Sequence, residues 1–349
     1  MTAASTKGLR VMAGGLCCAV GFNLPAAYCA MRAGMDHFQE SAFRDVNGKP
    51  LQVARLPLGD LWGEDRMAVF AATAVRDCLR RASFEAGGLG VVLLAAEPER
   101  PHSESERYAV CQRSVDEVLR GMPVLDRAVL REGRVGIANA LAQAQDWLSS
   151  AEVGNVLLVG VDSYLNAATV NHLLGNRRVL TTDTPAGFIP GEAASAVLLT
   201  RPLPEEQAAA QILVSGVGAA MEAAKPDGDI PNRAVGLTQA IRAALREADL
   251  APDELDFRIT DHNGDPFLAA ESSLVHARLM AGTQSSLAMI NPAEYVGEVG
   301  AAMGVIGLVY GARLLEREHA PGSVGVIHVS NDDGRRAAVV IERTSGLGT

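Results

Sequence analysis

Apolar positions along this chain fall into continuous runs and into runs with a helical period, separated by Gly and Pro. Residues 9–16 predict a first strand, and Ala68, Val69, Ala71, Ala72, Val75, Cys78 and Leu79 predict a helix over 67–82. Residues 89–95 form an unbroken apolar run, the pattern of a strand buried on both faces. The polar stretch 97–113 reads as a loop or helix insertion, and 115–119 as weakly helical. A strand end at 128–131 then meets a Gly turn at 133–136 and a small-residue helix without charge between Ile137 and Gln145. A helix apolar nearly all round belongs in the interior. Strands follow at 155–161 and 194–199.

Residues 202–206 are a polar, Pro-bearing joint, and after it the pattern starts again. A strand at 211–217, an amphipathic helix at 237–248 and a strand at 255–260 precede a buried small-residue helix at 300–315. Strands at 323–329 and 337–341 close the chain. The halves 1–202 and 203–349 share one order: strand, helix, strand, buried helix, strand, strand. A long-period repeat of this kind sets the architecture before any motif does. Two α/β halves, each with a helix too apolar for solvent, imply helices sandwiched between two sheets, with further helices outside.

A turn that delivers a buried helix from a strand end is where many enzymes place a nucleophile, because backbone N–H groups converge there. Here the turn holds Gly133, Arg134, Val135 and Gly136, and none is a nucleophile. Gly133 and Gly136 form no phosphate loop, and no Ser/His/Asp triad is visible. Chemistry must come from elsewhere or be absent.

Composition narrows the choice. A chain of 349 residues with 48% apolar and 21% charged residues buries a sizeable core, packed with Ala, Val, Leu and Ile because aromatics are only 4%. A net charge of −10 argues against nucleic acid as a partner. Lys7, Lys49 and Lys225 are the only lysines, which leaves almost no candidate for a catalytic one. Cys17, Cys18, Cys29, Cys78 and Cys111 are odd in number and lack metal or disulfide spacing, so reduced thiols are expected, and no metal or cofactor. Cys17 and Cys18 read as buried structural thiols, and Cys111 as a migrated nucleophile only if it is reactive. With no signal-like start and no apolar run of membrane-spanning length, a soluble cytoplasmic protein is expected.

The duplicated order resembles the thiolase-like fold, a five-layer αβαβα arrangement, and the local sequence resembles its ketosynthase branch, the 3-oxoacyl-acyl-carrier-protein synthases. Residues 187–199 (Gly-Phe-Ile-Pro-Gly-Glu-Ala-Ala-Ser-Ala-Val-Leu-Leu) are similar to the family's Gly-Phe-x-x-Gly-Glu-Gly-Ala-Gly strand. Residues 261–266 fall where the family has its first active-site His, and 297–304 resemble its second His motif, departing at Glu298 and Met303. Residues 330–337 stand where the family has its Gly-Phe-Gly-Gly-Thr-Asn loop.

The resemblance implies a thiolate at a helix N-terminus and two basic groups that stabilise an enolate. Carried over residue by residue, Gly133 takes the Cys position, His262 the first His and Glu298 the second. The lysine before the second His maps near Ala293, and the gating Phe falls on the pair Asp332 and Asp333. His262 is then a retained base or, more simply, a His held by local hydrogen bonds at a strand end. Glu298 is a new carboxylate or a structural replacement paired with an Arg or with His262; Arg131 and Arg134 flank the turn and could serve.

Two functions follow. One is a catalytically degenerate ketosynthase-like protein that binds, scaffolds or partners another subunit, with an adaptor role for a bacterial secretion effector as a variant. The other is an acyltransferase or hydrolase using His262 with Glu298. Expected partners are a second copy or a ketosynthase-like subunit, with acyl carrier protein or an effector as further options. The dimer is expected across a twofold axis through the strand 155–161.

Overall fold

The structure is a computed structural model that describes residues 8–204, 210–281 and 287–345. Its first half runs β1 (Leu9–Cys18), α1 (Leu24–Arg32), β2 (Phe38–Arg44), β3 (Pro50–Ala54), α2 (Gly63–Leu79), β4 (Gly88–Ala95) and α3 (Ser105–Val118). It continues through β5 (Val124–Arg131), α4 (Gly136–Ser149), β6 (Val153–Ser163), α5 (Ala167–Gly175) and β7 (Glu192–Thr200). The second half runs β8 (Ile212–Met221), α6 (Val235–Ala248), β9 (Phe257–Thr260), α7 (Pro266–Leu279) and β10 (Ala288–Ile290). It ends with α8 (Ala293–Val296), α9 (Met303–Glu316), β11 (Val324–Ser330) and β12 (Arg335–Arg343).

Ten strands line up as β10-β9-β11-β12-β8-β1-β7-β6-β4-β5. Read outward from β8 and β1, each side takes the first, last, next-to-last, second and third strand of its own half, leaving out the separate β2–β3 hairpin. This is the duplicated α/β arrangement expected from the repeat. Among the described residues the two sides are paired only at Leu9–Val214 and Arg10–Leu213. Beyond that short seam they separate to enclose α9, which packs on β6 and β7 of one side and on β11 and β12 of the other.

Strand alternation explains why the apolar runs are continuous. On β4, Val92 and Leu94 enter the central core with α4 and α9, while Val91 and Leu93 enter an outer core under α2 and α3. On β12, Val339 and Ile341 point to the centre, and Ala338 and Val340 lie against α6 and α7. A strand sandwiched between two helix layers has no solvent face, so both faces must be apolar. Five layers result, with three large cores and a small fourth cluster around Tyr164 and Phe188 among the described residues.

Several sequence expectations need correction. α4 is buried along Ile137, Ala138, Leu141 and Ala144, but Asn139, Ala142, Gln145 and Asp146 are exposed, because no layer covers its outer face. β6 is no edge strand: it pairs with β4 and β7, and every residue of it is buried. The free edge on that side is β5, which pairs only with β4 among the described residues. The stretch 97–113 does contain a helix, α3, whose inward face is reduced to Arg107, Tyr108, Cys111 and Val115. The β2–β3 hairpin, α5, α7, β10 and α8 lay outside the predicted elements, while α1 falls in the Gly-, Pro- and Asp-punctuated stretch up to about residue 65 that reads as loop and helix.

The helices after Gly133 and Gly300 do meet. A Cβ placed on Gly304 would lie 2.8 Å from Ile137 Cβ and 3.0 Å from the Arg134 carbonyl oxygen. Gly304→Val is therefore expected to force α9 away from the start of α4 and cost about 1–3 kcal/mol of unfolding free energy. Ala142→Val, on the exposed face, should cost only a few tenths. Urea melts of the two variants check this, and equal losses would show that the helices do not interlock.

Candidate functional site

The carboxyl ends of β4, β5, β6, β9 and β11 converge on the turn that starts α4, and the chemistry-bearing side chains gather there. Gly133 opens a single 3-10 turn, Gly133–Val135, with φ of +62°, a backbone state that side chains disfavour. Its counterpart in the second half is Gly300, which opens the turn Gly300–Ala302 before α9. The space a side chain at 133 would use is taken. A Cβ there would stand 2.4 Å from Glu97 Oε2 and 3.2 Å from the Asn331 amide. Glu97 follows β4 and was not among the residues singled out from sequence, since no motif marks it.

Glu298 is buried at the centre of the site. Its main chain is tied to the segment before β7, donating to the Ile189 carbonyl at 2.8 Å and accepting from Gly191 N–H at 2.9 Å. Its carboxylate accepts from Arg134 Nη1 at 2.8 Å, from Gly300 N–H at 2.8 Å and from the Asn263 amide. Arg134 is also buried. It reaches Asp332 at 3.3 Å, and its Nε lies 3.8 Å from Asp261. Burial opposes the Arg134 charge, but Glu298 and the neighbouring acids hold its pKa well above the ordinary value.

Asp332 is half-exposed at the rim and is shared between Arg134 and Arg178, each at 3.3 Å. The crowded surroundings disfavour its charge, yet the two guanidinium groups keep its pKa below the usual carboxylate range. Asp333 points away to Arg335, at 2.6 Å. Arg178 also donates to Asp265, at 2.6 Å. Asn331 fastens this loop to the turn, accepting from Val135 N–H at 3.3 Å and donating to the Glu132 carbonyl at 2.8 Å. One of the N–H groups at the start of α4 is therefore engaged by a side chain of the other half.

Asp162 supplies a second cross-half tie. It accepts from Ala301 N–H at 2.8 Å, from the Tyr108 hydroxyl at 3.2 Å and from Arg100. Arg100 lies over the Tyr164 ring at 4.3 Å. Arg100, Arg134, Tyr164, Arg178, Phe188 and Glu298 line a cavity of about 180 Å³.

Sequence expectations fare unevenly here. His262 lies on the same loop as Asn263, but no hydrogen bond joins it to Glu298 among the described residues. Its main-chain N–H donates to Thr260 Oγ1 at 3.2 Å, while its Nδ1 is buried without a hydrogen-bond partner. The neighbour Asn263, not His262, reaches the carboxylate. Arg134 takes the pairing role, whereas Arg131 donates to Ser105 Oγ at 3.1 Å and to the Ser103 carbonyl. Glu192 of the Gly-Phe-x-x-Gly-Glu stretch is engaged by buried Arg66, at 2.9 Å from Nε to either oxygen. Burial pushes the thiols of Cys18, Cys78 and Cys111 up to about 12, and Cys17 higher still. Cys111 is also fully buried, with no exposed thiol to present to a substrate. No group of three or more His, Cys, Asp or Glu among the described residues is placed to hold a metal ion.

The fold that carries this site is the thiolase-like fold of ketosynthases and chain length factors. A type II polyketide synthase ketosynthase, solved with its acyl-carrier protein and bound to the hexaketide, is 13% identical with a TM-score of 0.80, covering 97% of this chain and 99% of the other. A beta-ketoacyl synthase from Burkholderia phymatum is 16% identical with a TM-score of 0.76, over 97% and 100% of the two chains. A ketosynthase in complex with its chain length factor from Xenorhabdus doucetiae gives 15% identity and a TM-score of 0.74, over 97% and 98%. No protein-family model matches the sequence, and no curated protein matches it. At these identities the likeness establishes the fold.

Two outcomes test the site's electrostatics. Arg134→Met leaves Glu298 buried without its cation and should cost about 3–5 kcal/mol, while Arg134→Met with Glu298→Met should recover much of that loss. A double-mutant cycle from denaturant melts reads the coupling. Burial also pushes the Asp261 carboxyl up to about 7, with Arg134 and the Ser330 N–H, at 2.7 Å, opposing the shift. A raised carboxyl pKa means the folded state holds a proton that the unfolded state has lost. This group's stabilising contribution is therefore full below about pH 4 and falls as pH rises towards 7. The stability difference between wild type and Asp261→Asn should shift in that sense between pH 4 and 7. A flat difference would place the Asp261 pKa near its ordinary value.

Proposed function

We propose that this chain is a catalytically degenerate ketosynthase-like subunit that acts by binding and pairing rather than by condensing acyl groups. The observation that carries the reading is Gly133. The position that would hold an acyl-carrying thiolate has no side chain, and the carboxylate of Glu97 occupies its space. The Val135 N–H at the start of α4 is engaged by Asn331, and Glu298 is neutralised by Arg134. The site is closed by its own ion pairs.

The alternative, acid–base chemistry by His262 with Glu298, has less support. Glu298 already accepts from Arg134, Gly300 N–H and Asn263, and no hydrogen bond joins it to His262 among the described residues. Nothing among the structural neighbours points to a secretion adaptor. No helix among the described residues is long and apolar enough to cross a membrane.

The partner in this reading is a ketosynthase-like chain or a second copy, with acyl carrier protein as a further ligand of the pair. β5 offers the place. It is an unpaired edge carrying exposed Leu125 and Val129, and the uncovered face of α4 lies beside it. An exposed apolar edge strand is a template for another strand, so pairing there replaces the contact earlier expected at residues 155–161.

Malonyl-dependent condensation measured on wild type, Gly133→Cys, and Gly133→Cys with Glu97→Ala tests the catalytic half of the reading. Wild type should show no turnover and no acyl adduct by intact mass. The single variant should stay inactive, because φ at 133 is unfavourable and the nearest carboxylate, Glu97, disfavours a thiolate. Turnover by wild type would overturn the proposal. Activity in the single variant would show that Glu97 swings aside at little cost.

A further inference from the structure

A second cavity, of about 380 Å³, lies at the opposite end of the sheet from the site just described. It exists because of the short seam. β1 pairs with β7 from Arg10 to Cys18, but with β8 only at Leu9 and Arg10. From Val11 onward the other edge of β1 has no strand beside it, and a wedge opens between the two half-sheets. The last turns of α9 form its wall with Val309 and Ala312, and Leu24 of α1 closes one side. This region is apolar.

Among the described residues its charged lining is Arg10, Arg81 and Arg313 with one acid, Glu316. Each arginine has an acid beside it: Arg10 meets Glu85 at 3.5 Å, Arg313 pairs with Glu316 at 2.5 Å and Arg81 pairs with Asp77 at 2.6 Å. Glu85 and Glu316 are exposed, so the first two pairs are open to water and to a competing anion, whereas Asp77 engages Arg81 from within. Arg313 keeps a donor in reserve, because its Nε is buried without a hydrogen-bond partner.

An apolar wall of this size below several convergent cationic donors is the composition of a small-molecule site. We infer that the wedge between the half-sheets binds an amphipathic anion, a molecule with an apolar body held against Val309 and Ala312 and a carboxylate or phosphate head held by Arg10 and Arg313. Guanidinium groups recognise both head groups through charge-assisted hydrogen bonds. The site is independent of the ketosynthase-like one: α9 begins beside Gly300 and Glu298 and ends here, about 20 Å away for its fourteen residues.

Isothermal titration of the full chain at low salt tests this, with decanoate, decyl phosphate and decanol each kept below its aggregation or solubility limit. Decanoate or decyl phosphate should bind at one site, and whichever binds more tightly identifies the head group. Decanol should bind at least tenfold more weakly, and added salt should weaken the anions. Arg313→Gln should reduce affinity at least tenfold, and Ala312→Phe, which fills the wall, should abolish it. Should Ala312→Phe fail to fold by circular dichroism, Arg313→Gln and Arg10→Gln decide. No binding of either anion overturns the inference. So does binding that Arg313→Gln and Arg10→Gln leave unchanged, or that decanol matches.

Discussion

The ion pair of Arg134 with Glu298 is the interaction on which the site depends. Arg134 comes from the turn that starts the central helix of one half, and Glu298 from the segment that precedes the central helix of the other. Both are buried, so neither tolerates loss of its partner. Around them Asn263, the Gly300 N–H and Asp332 satisfy the remaining lone pairs and donors. Breaking the pair would strand a charge between the two halves. The pair therefore acts as a clamp across the duplicated fold, at the point where a ketosynthase-like protein would otherwise carry out chemistry.

Closure of this kind has a chemical consequence. A condensing site needs open donors facing a developing oxyanion and an unencumbered nucleophile. Here the Val135 N–H is held by Asn331, the room beside Gly133 is filled by Glu97, and the cation nearest the centre is neutralised. Glu298 is thus less repulsive than its charge alone suggests. The carboxylate that opposes a thiolate most directly is Glu97, whose importance is visible only in space. The asymmetry of the central helices fits the same picture. α9 is buried from Met303 through Ala312, while α4 leaves one face open beside the free edge of β5.

Much of the fold was legible in the chain because its signals are local. Unbroken apolar runs at β4 and β7 announce strands between two helix layers. Where the signals are weak or short the chain says less. α3, in a stretch that reads as loop or helix, buries Tyr108 and Cys111 along a mostly polar helix, and β10 is only three residues long. The expectation of a dimer through 155–161 fails on topology rather than on element type, since β6 is paired on both sides. An apolar run reports burial, but not which neighbours supply it.

The sequence by itself determined that residue 133 carries no nucleophile, that residue 298 is an acid and that two α/β halves repeat. Those are statements of residue identity and periodicity, and they hold without coordinates. Only the tertiary structure decided what the acid does. Arg134 and Glu298 are 164 residues apart, and Glu97 reaches Gly133 from a different strand. Pairing, burial and the filling of space depend on which chain segments meet. Those meetings are set by packing across the whole fold, so no local pattern in the sequence could announce them.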